Sequence, residues 1–151
     1  MGTKLSSPGK NVVRPMEGKD IVAVYEIQRT LVGEERALID TDLIAENMDG
    51  TLDLSLVADR GGEVVGFVIA RHTYIGEPVV QAALIQGLGI HPLFQRQGLA
   101  TNLINTLEEN CRIKGIKTIR AMLSDQDSQT EGFFKKLQFH PAKLVIYDML
   151  L

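Results

Sequence analysis

The chain has 151 residues, 44% hydrophobic and 23% charged, a balance that predicts one globular domain with a core large enough to need no staples. A formal net charge of -3 argues against a nucleic-acid binder that works through a broad basic face, while leaving room for a local basic pocket that takes a phosphorylated cofactor. With Cys111 as its single cysteine the chain has no internal disulfide and no cysteine-based zinc site, and no apolar run reaches the ~20 residues that cross a bilayer.

Residues 1–10 are polar with Gly, Ser and Pro and read as a flexible tail without a secretory signal, ahead of a single domain over 11–151. A reduced, cytoplasmic compartment is expected, with no membrane and no nucleic-acid partner. Asn11 to Pro15 reads as a first strand. Asp20 is placed to cap a helix that runs to about Leu31, with Ile21, Val24, Tyr25 and Ile27 near helical spacing. Residues 33–50 read as a second helical region. Leu54 to Asp59 and Val64 to about Tyr74 are strands joined by an Arg60-Gly61-Gly62 turn, and Val79 to Ile90 is a third strand interrupted by Gly87 and Gly89. Glycine within a strand marks a bulge or a close backbone approach by a ligand. Leu99, Leu103, Ile104, Leu107 and Cys111 then recur at helical spacing, with Lys114-Gly115 as the stop. Thr118 to Leu123 is a strand, Ser128 and Glu131 form a capping-box pattern for a short helix through Leu137, and Lys143 to Leu151 is a final strand. The alternation of strand and helix in the second half predicts crossover units in a mixed sheet.

The segment with the strongest chemical content is Leu88 to Ala100. A strand ends, a short loop turns, and a helix begins near Gly98. The first amides of a helix lack intrahelical partners and carry about half a unit of positive charge, so a phosphate placed there accepts several hydrogen bonds at once. Gly98 and Ala100 are small enough to let phosphates reach the backbone, and Arg96 adds a full charge. No G-x-G-x-x-G run and no Gly-Lys-Ser/Thr of a P-loop is present.

Gln95-Arg96-Gln97-Gly98-Leu99-Ala100 resembles the Q/R-x-x-G-x-G/A signature of the GNAT acetyltransferase superfamily. Phe133-Phe134-Lys135-Lys136-Leu137-Gln138-Phe139 is similar to the family's second motif, at the expected distance. The resemblance implies an α/β (α+β) fold with a central mixed, mostly antiparallel sheet, one splayed strand and flanking helices. It implies acetyl-CoA as co-substrate, with no metal. The cofactor's pyrophosphate would rest on Gln95, Arg96, Gln97, Gly98, Leu99, Ala100 and Thr101. Its pantetheine arm would pair with Leu88, Gly89 and Ile90, and Asp127, Phe133, Phe134 and Lys136 would complete the cofactor side. A homodimer is common in such proteins. The Gln-Arg-Gln-Gly loop also resembles the branch that acetylates ribosomal proteins.

Acetyl transfer to an amine needs a neutral amine, a stabilised thioester oxygen and a stabilised leaving thiolate. A lysine-like amine of pKa ~10.4 costs about 4–5 kcal/mol to deprotonate at pH 7, a peptide α-amine near ~7.8 only about 1 kcal/mol. Many relatives carry a basic glutamate on the splayed strand, where Gln81 to Gly87 here holds no carboxylate. That favours a low-pKa amine or a water relay, and leaves Asp125 as candidate base, with Glu77, His91 and Asp127 as others. The resemblance gives the oxyanion to the Leu88 amide. It places Phe134 where relatives have the tyrosine that protonates the thiolate, so Ser124 becomes a candidate acid. Glu34, Glu35, Asp40, Asp42 and Glu46 in the helical region could attract a cationic acceptor. The functional expectation is an acetyl-CoA-dependent N-acetyltransferase for an amine of a small molecule or peptide. The alternative is a non-catalytic acyl-CoA sensor of the same fold.

Overall fold

A computed structural model describes residues 10–33, 54–76 and 79–151. Most of the expected tail, the helical region expected over 33–50 with its five acids, and Glu77 lie outside the described residues. The elements in chain order are β1 (Asn11–Pro15), α1 (Ile21–Val32), β2 (Leu56–Arg60), β3 (Glu63–Ile75), β4 (Val80–Ile90), α2 (Leu99–Ile113), β5 (Ile119–Ala121) and α3 (Ser128–Lys136). The strands form one sheet in the order β1-β2-β3-β4-β5. The first three pairings are antiparallel and β4–β5 is parallel, reached through the α2 crossover. This is the mixed, mostly antiparallel sheet expected from the sequence.

Both faces of the sheet are covered, which explains the near-continuous apolar runs of β2 and β3. On one face Val24 and Ile27 of α1 pack with Met16, Val57, Phe67 and Ile69. On the other, Leu99, Leu103, Ile104, Leu107 and Cys111 of α2 pack with Leu56, Val68, Ala83, Ile85 and Phe134. The five apolar positions of α2 are all buried, as their helical spacing requires. Burial pushes the Cys111 thiol up to about 11, so it is a packed small hydrophobe. The β2–β3 turn places Gly61 (φ 61°) and Gly62 (φ 94°) in the left-handed region, as a two-residue hairpin loop demands.

Ser55 is fully buried just before β2, where the ladder to β3 stops. Its hydroxyl donates to the Ala70 carbonyl (3.2 Å) and accepts from the Ala70 amide (3.1 Å). Ser55→Ala would strand two buried backbone groups, each worth about 1–3 kcal/mol. A loss of about 2–4 kcal/mol in urea unfolding is expected, with no change in cofactor affinity.

Three expectations are corrected. Asp20 precedes α1 but does not cap it. Its carboxylate instead accepts two hydrogen bonds from Arg14 (2.8 and 2.9 Å) and one from the Glu17 amide (2.8 Å). A guanidinium that crosses from β1 outcompetes the helix amides because its bonds are charge-assisted and paired. The cap of α3 is Asp127 rather than Ser128, and Glu131 reaches Lys135 (3.0 Å) instead of closing a capping box. The segment expected as a final strand joins no ladder among the described strands, and residues 144–151 are exposed. Its apolar pattern suits a strand, but a strand also needs an edge to pair with.

Candidate cofactor site

The site forms where β4 and β5 part. Their parallel pairing covers Ala83↔Ile119, Leu84↔Arg120 and Ile85↔Ala121 and then ends. β4 continues to Ile90, still paired on its other side with β3. The β3–β4 register slips between Gly87 and Ile85, leaving Gln86 as the extra residue of a bulge. Backbone groups of alternate residues face alternate edges of an antiparallel strand. The His91 amide donates to the Val65 carbonyl (2.8 Å), so the groups of Leu88 and Ile90 face the opposite edge, toward the gap left by β5. That edge can pair with an extended polar chain.

Gly89 has a different reason from the one expected. A Cβ there would lie 2.8 Å from Leu31 Cδ1 and 2.8 Å from Phe67 Cε1. Glycine at this point lets the end of α1 close onto the sheet; it faces the helix, not the gap. At Gly87 a Cβ would make only ordinary contacts, 3.4 Å and beyond.

Beyond β4 the loop Gln95–Gly98 is exposed and leads into α2. Arg96 holds φ at 63° and Gly98 at 79°, both left-handed. For a residue with a side chain this conformation costs roughly 1–2 kcal/mol, a strain that often accompanies a binding loop. The first helical bond of α2 runs from Asn102 N to Gly98 O (3.0 Å), so the amides of Leu99, Ala100 and Thr101 have no partner within the helix. Gly98 offers no side-chain cap. α3 shows the contrast. There Asp127 accepts from the Thr130 hydroxyl (2.6 Å) and amide (3.0 Å), bonds that hold its carboxyl below the usual carboxylate range. One helix start is closed by its own carboxylate and the other is open to an external anion.

The predicted site residues fall into three groups. Arg96, Gly98, Ala100 and Thr101 sit at the open helix start, and Leu88 and Ile90 on the gap edge. Gln95 and Gln97 serve the loop itself. The Gln95 side chain donates from Nε2 to the Ile90 carbonyl (3.0 Å), and the Gln97 side-chain oxygen accepts from Arg60 (3.3 Å). Leu99 turns its side chain into the core, leaving only its amide. Asp127 is the α3 cap, Lys136 is exposed on the last turn of α3, and Phe133 is half-buried. Phe134 is buried, with ring centroids 5.3 Å from Phe133 and 4.9 Å from Phe139. Ser124 and Asp125 are exposed on the loop leaving β5, and the Ser124 hydroxyl accepts from the Gln126 amide (3.2 Å). His91 accepts from the Leu93 amide through Nδ1 (3.1 Å), a capping role that leaves little for a base.

Arg60 was not singled out from the sequence. It lies 5.2 Å over the Phe94 ring and steadies Gln97, bringing a second cation beside Arg96. Its only sequence cue is a position at a hairpin turn, 37 residues from Gln97, and register alone joins the two.

The architecture is shared with solved acetyltransferases. The aminoglycoside N-acetyltransferase AAC(6')-Iy, solved with a bisubstrate analogue of CoA, superposes with a TM-score of 0.75 at 18% identity, covering 95% of this chain and 99% of that one. Ard1 from Thermoplasma volcanium gives 0.74 at 23% identity, over 86% and 82%. A ribosomal-protein-alanine N-acetyltransferase from Brucella melitensis biovar Abortus 2308 gives 0.70 at 13%, over 94% and 99%. In sequence, an acetyltransferase of Pectobacterium atrosepticum is 33% identical over 93 residues, 62% of each chain, so the match spans less than two thirds of that relative's length. The family model of the GNAT acetyltransferases matches residues 21–139, which takes in α1, the open helix start of α2 and all of α3. With that match covering most of the chain, and a fold shared with those structures, the chain belongs to the GNAT acetyltransferase family.

Proposed function

We propose that the protein transfers an acetyl group from acetyl-CoA to a primary amine of a small molecule or peptide, by direct attack of the bound amine. The observation that carries this reading is the juxtaposition of an uncapped helix start with the edge of β4 that no described strand pairs beyond Ile85. The first suits a pyrophosphate and the second an amide-bearing arm. The Leu88 amide, on the gap edge, is assigned to the thioester oxygen as charge develops there.

β4 carries no carboxylate between Val80 and Ile90, so proton removal is assigned to water relayed to Asp125 on the loop leaving β5, and proton return to Ser124. An acceptor of low pKa suits this arrangement, since it needs little help to lose its proton. Asp125→Asn and Ser124→Ala should each lower kcat about 10²–10⁴-fold with KM for acetyl-CoA unchanged, the range of general acid-base roles. Unchanged kcat in either would remove that assignment.

Phe134 favours a second reading, a sensor that binds acyl-CoA without turning it over. It is buried in an aromatic cluster and has no proton to give. Release of free CoA thiol is measured with acetyl-CoA and a panel of α-amines, polyamines and aminoglycosides. Amine-dependent release supports the enzyme, and tight acetyl-CoA binding with no release across the panel supports the sensor.

A further inference from the structure

The loop between β4 and α2 carries two left-handed residues, Arg96 and Gly98, within three positions. Glycine takes this conformation freely. Arg96 does not, and a strained residue persists only where its surroundings hold it. Turns of this kind gather successive amides into an anion-binding concavity. Whatever holds Arg96 therefore also holds the amides offered to a phosphate.

The hold comes from the β2–β3 hairpin, which ties the loop at both ends. At the first end the His91 amide donates to the Val65 carbonyl (2.8 Å), and Val65 is the extra residue where the β2–β3 register slips. Gly66 comes next. A Cβ there would lie 2.6 Å from Ile90 Cδ1, so the missing side chain lets the hairpin lie close against the end of β4. At the far end Arg60 reaches Gln97, its Nη1 donating to Oε1 at 3.3 Å, while its guanidinium carbon sits 5.2 Å from the centre of the Phe94 ring. Phe94 stands edge-on to His91, with ring centroids 5.7 Å apart. One side chain thus grips the loop on both sides of Gln95 and Arg96.

The hairpin is itself a firm anchor. Asp59 accepts from the Gly62 amide (2.7 Å) and from Arg14 of β1 (3.0 Å). Among the described residues no carboxylate pairs with Arg60, so nothing draws its guanidinium away from Phe94 and Gln97. We infer that Arg60 is a positioning residue for the cofactor: through Phe94 and Gln97 it presets the left-handed turn at Arg96, so that the amides of the helix start are aligned before the phosphates arrive. The inference rests on the acetyl-CoA reading above and adds to it a residue that lies outside both motifs. A preset loop has less freedom to lose on binding, which raises affinity without any contact between Arg60 and the ligand.

Two measurements separate this role from a direct charge contact. In the free protein, nitrogen-15 relaxation of the amides of residues 95–98 should give order parameters of about 0.85, falling below about 0.6 in Arg60→Ala. With no ligand present, a phosphate contact cannot move that readout. Calorimetric titration should then show acetyl-CoA held about 10-fold less tightly by Arg60→Ala. The double variant Arg60→Ala/Gln97→Ala should bind no more weakly than Arg60→Ala, because both substitutions break one tie. Arg60→Lys keeps the charge but loses the planar fork that suits ring and amide together, and it should recover less than about 3-fold of the loss. A mobile loop in the free parent, or order parameters unmoved in Arg60→Ala, overturns the inference. Full affinity in Arg60→Lys, or losses that multiply in the double variant, overturns it too and makes Arg60 a direct phosphate contact. A parent that binds no acetyl-CoA overturns the functional reading and this role with it, and is told apart from the other failures because it appears before any substitution is made.

Discussion

Gly98→Glu should raise the dissociation constant for acetyl-CoA at least 100-fold, about 2.7 kcal/mol, in a protein that remains folded. A Cβ at Gly98 would meet nothing within 4 Å, so no packing opposes the substitution. The cost to the fold is that of a side chain at φ 79°, roughly 1–2 kcal/mol. The cost to binding is far larger, because the new carboxylate can reach the amides of Leu99, Ala100 and Thr101 and occupy the place of the phosphate. Gly98→Asn separates the two effects. Asparagine tolerates the left-handed region and brings no charge, so it should keep most of the affinity. Calorimetric titration of the three proteins checks this. Equal affinities for parent and glutamate variant would place the phosphates elsewhere.

A large effect on stability, with a pH signature, is expected at the cluster that joins β1 to the start of α1. Arg14 bonds Asp20 through two nitrogens and Asp59 through a third at 3.0 Å, and Asp20 is 3% exposed. These bonds hold the carboxyls of Asp20 and Asp59 below the usual carboxylate range and raise the Arg14 guanidinium still further. Asp20→Ala should cost about 2–3 kcal/mol. That is less than a fully buried pair would lose, because Arg14 is partly solvated and keeps Asp59. In a chain of this size the melting temperature should fall by roughly 5–10 °C. The pH dependence has a definite sign. A carboxyl whose folded pKa is depressed contributes its stability above its unfolded pKa near ~3.9 and loses it as pH falls through the folded value. The parent should therefore weaken steeply below about pH 4, and Asp20→Ala should weaken less over the same window. Parallel curves for parent and variant would show that the pair is not the acid-sensitive element.

Much of the candidate site's local geometry was legible because it rests on local rules. The buried stripe of α2 follows from the spacing of Leu99, Leu103, Ile104, Leu107 and Cys111. The uncapped start follows from a glycine where Ser, Thr, Asp or Asn would ordinarily close a helix. Both are consequences of 3.6-residue geometry and of glycine's freedom at positive φ, and both can be read along a single stretch of chain.

What depended on distant partners was misread or unseen. Asp20 has the sequence appearance of a cap, but Arg14 reaches it only because β1 lies beside the start of α1. Gly89 suggests ligand approach, whereas Leu31 and Phe67, far from it in sequence, account for it. The bonds of Gln95 to Ile90 and of Gln97 to Arg60 could not be read from the motif that contains both glutamines. The terminal apolar run from Lys143 reads as a strand, yet pairing requires an edge that no local pattern records. The sequence by itself determined the order of the described elements from β1 to α3, the open helix start and the family. The tertiary structure alone decided where β4 and β5 part, which side chains hold the loop and which sheet edge stays open, because each of these is a choice of partner between residues that only folding brings together.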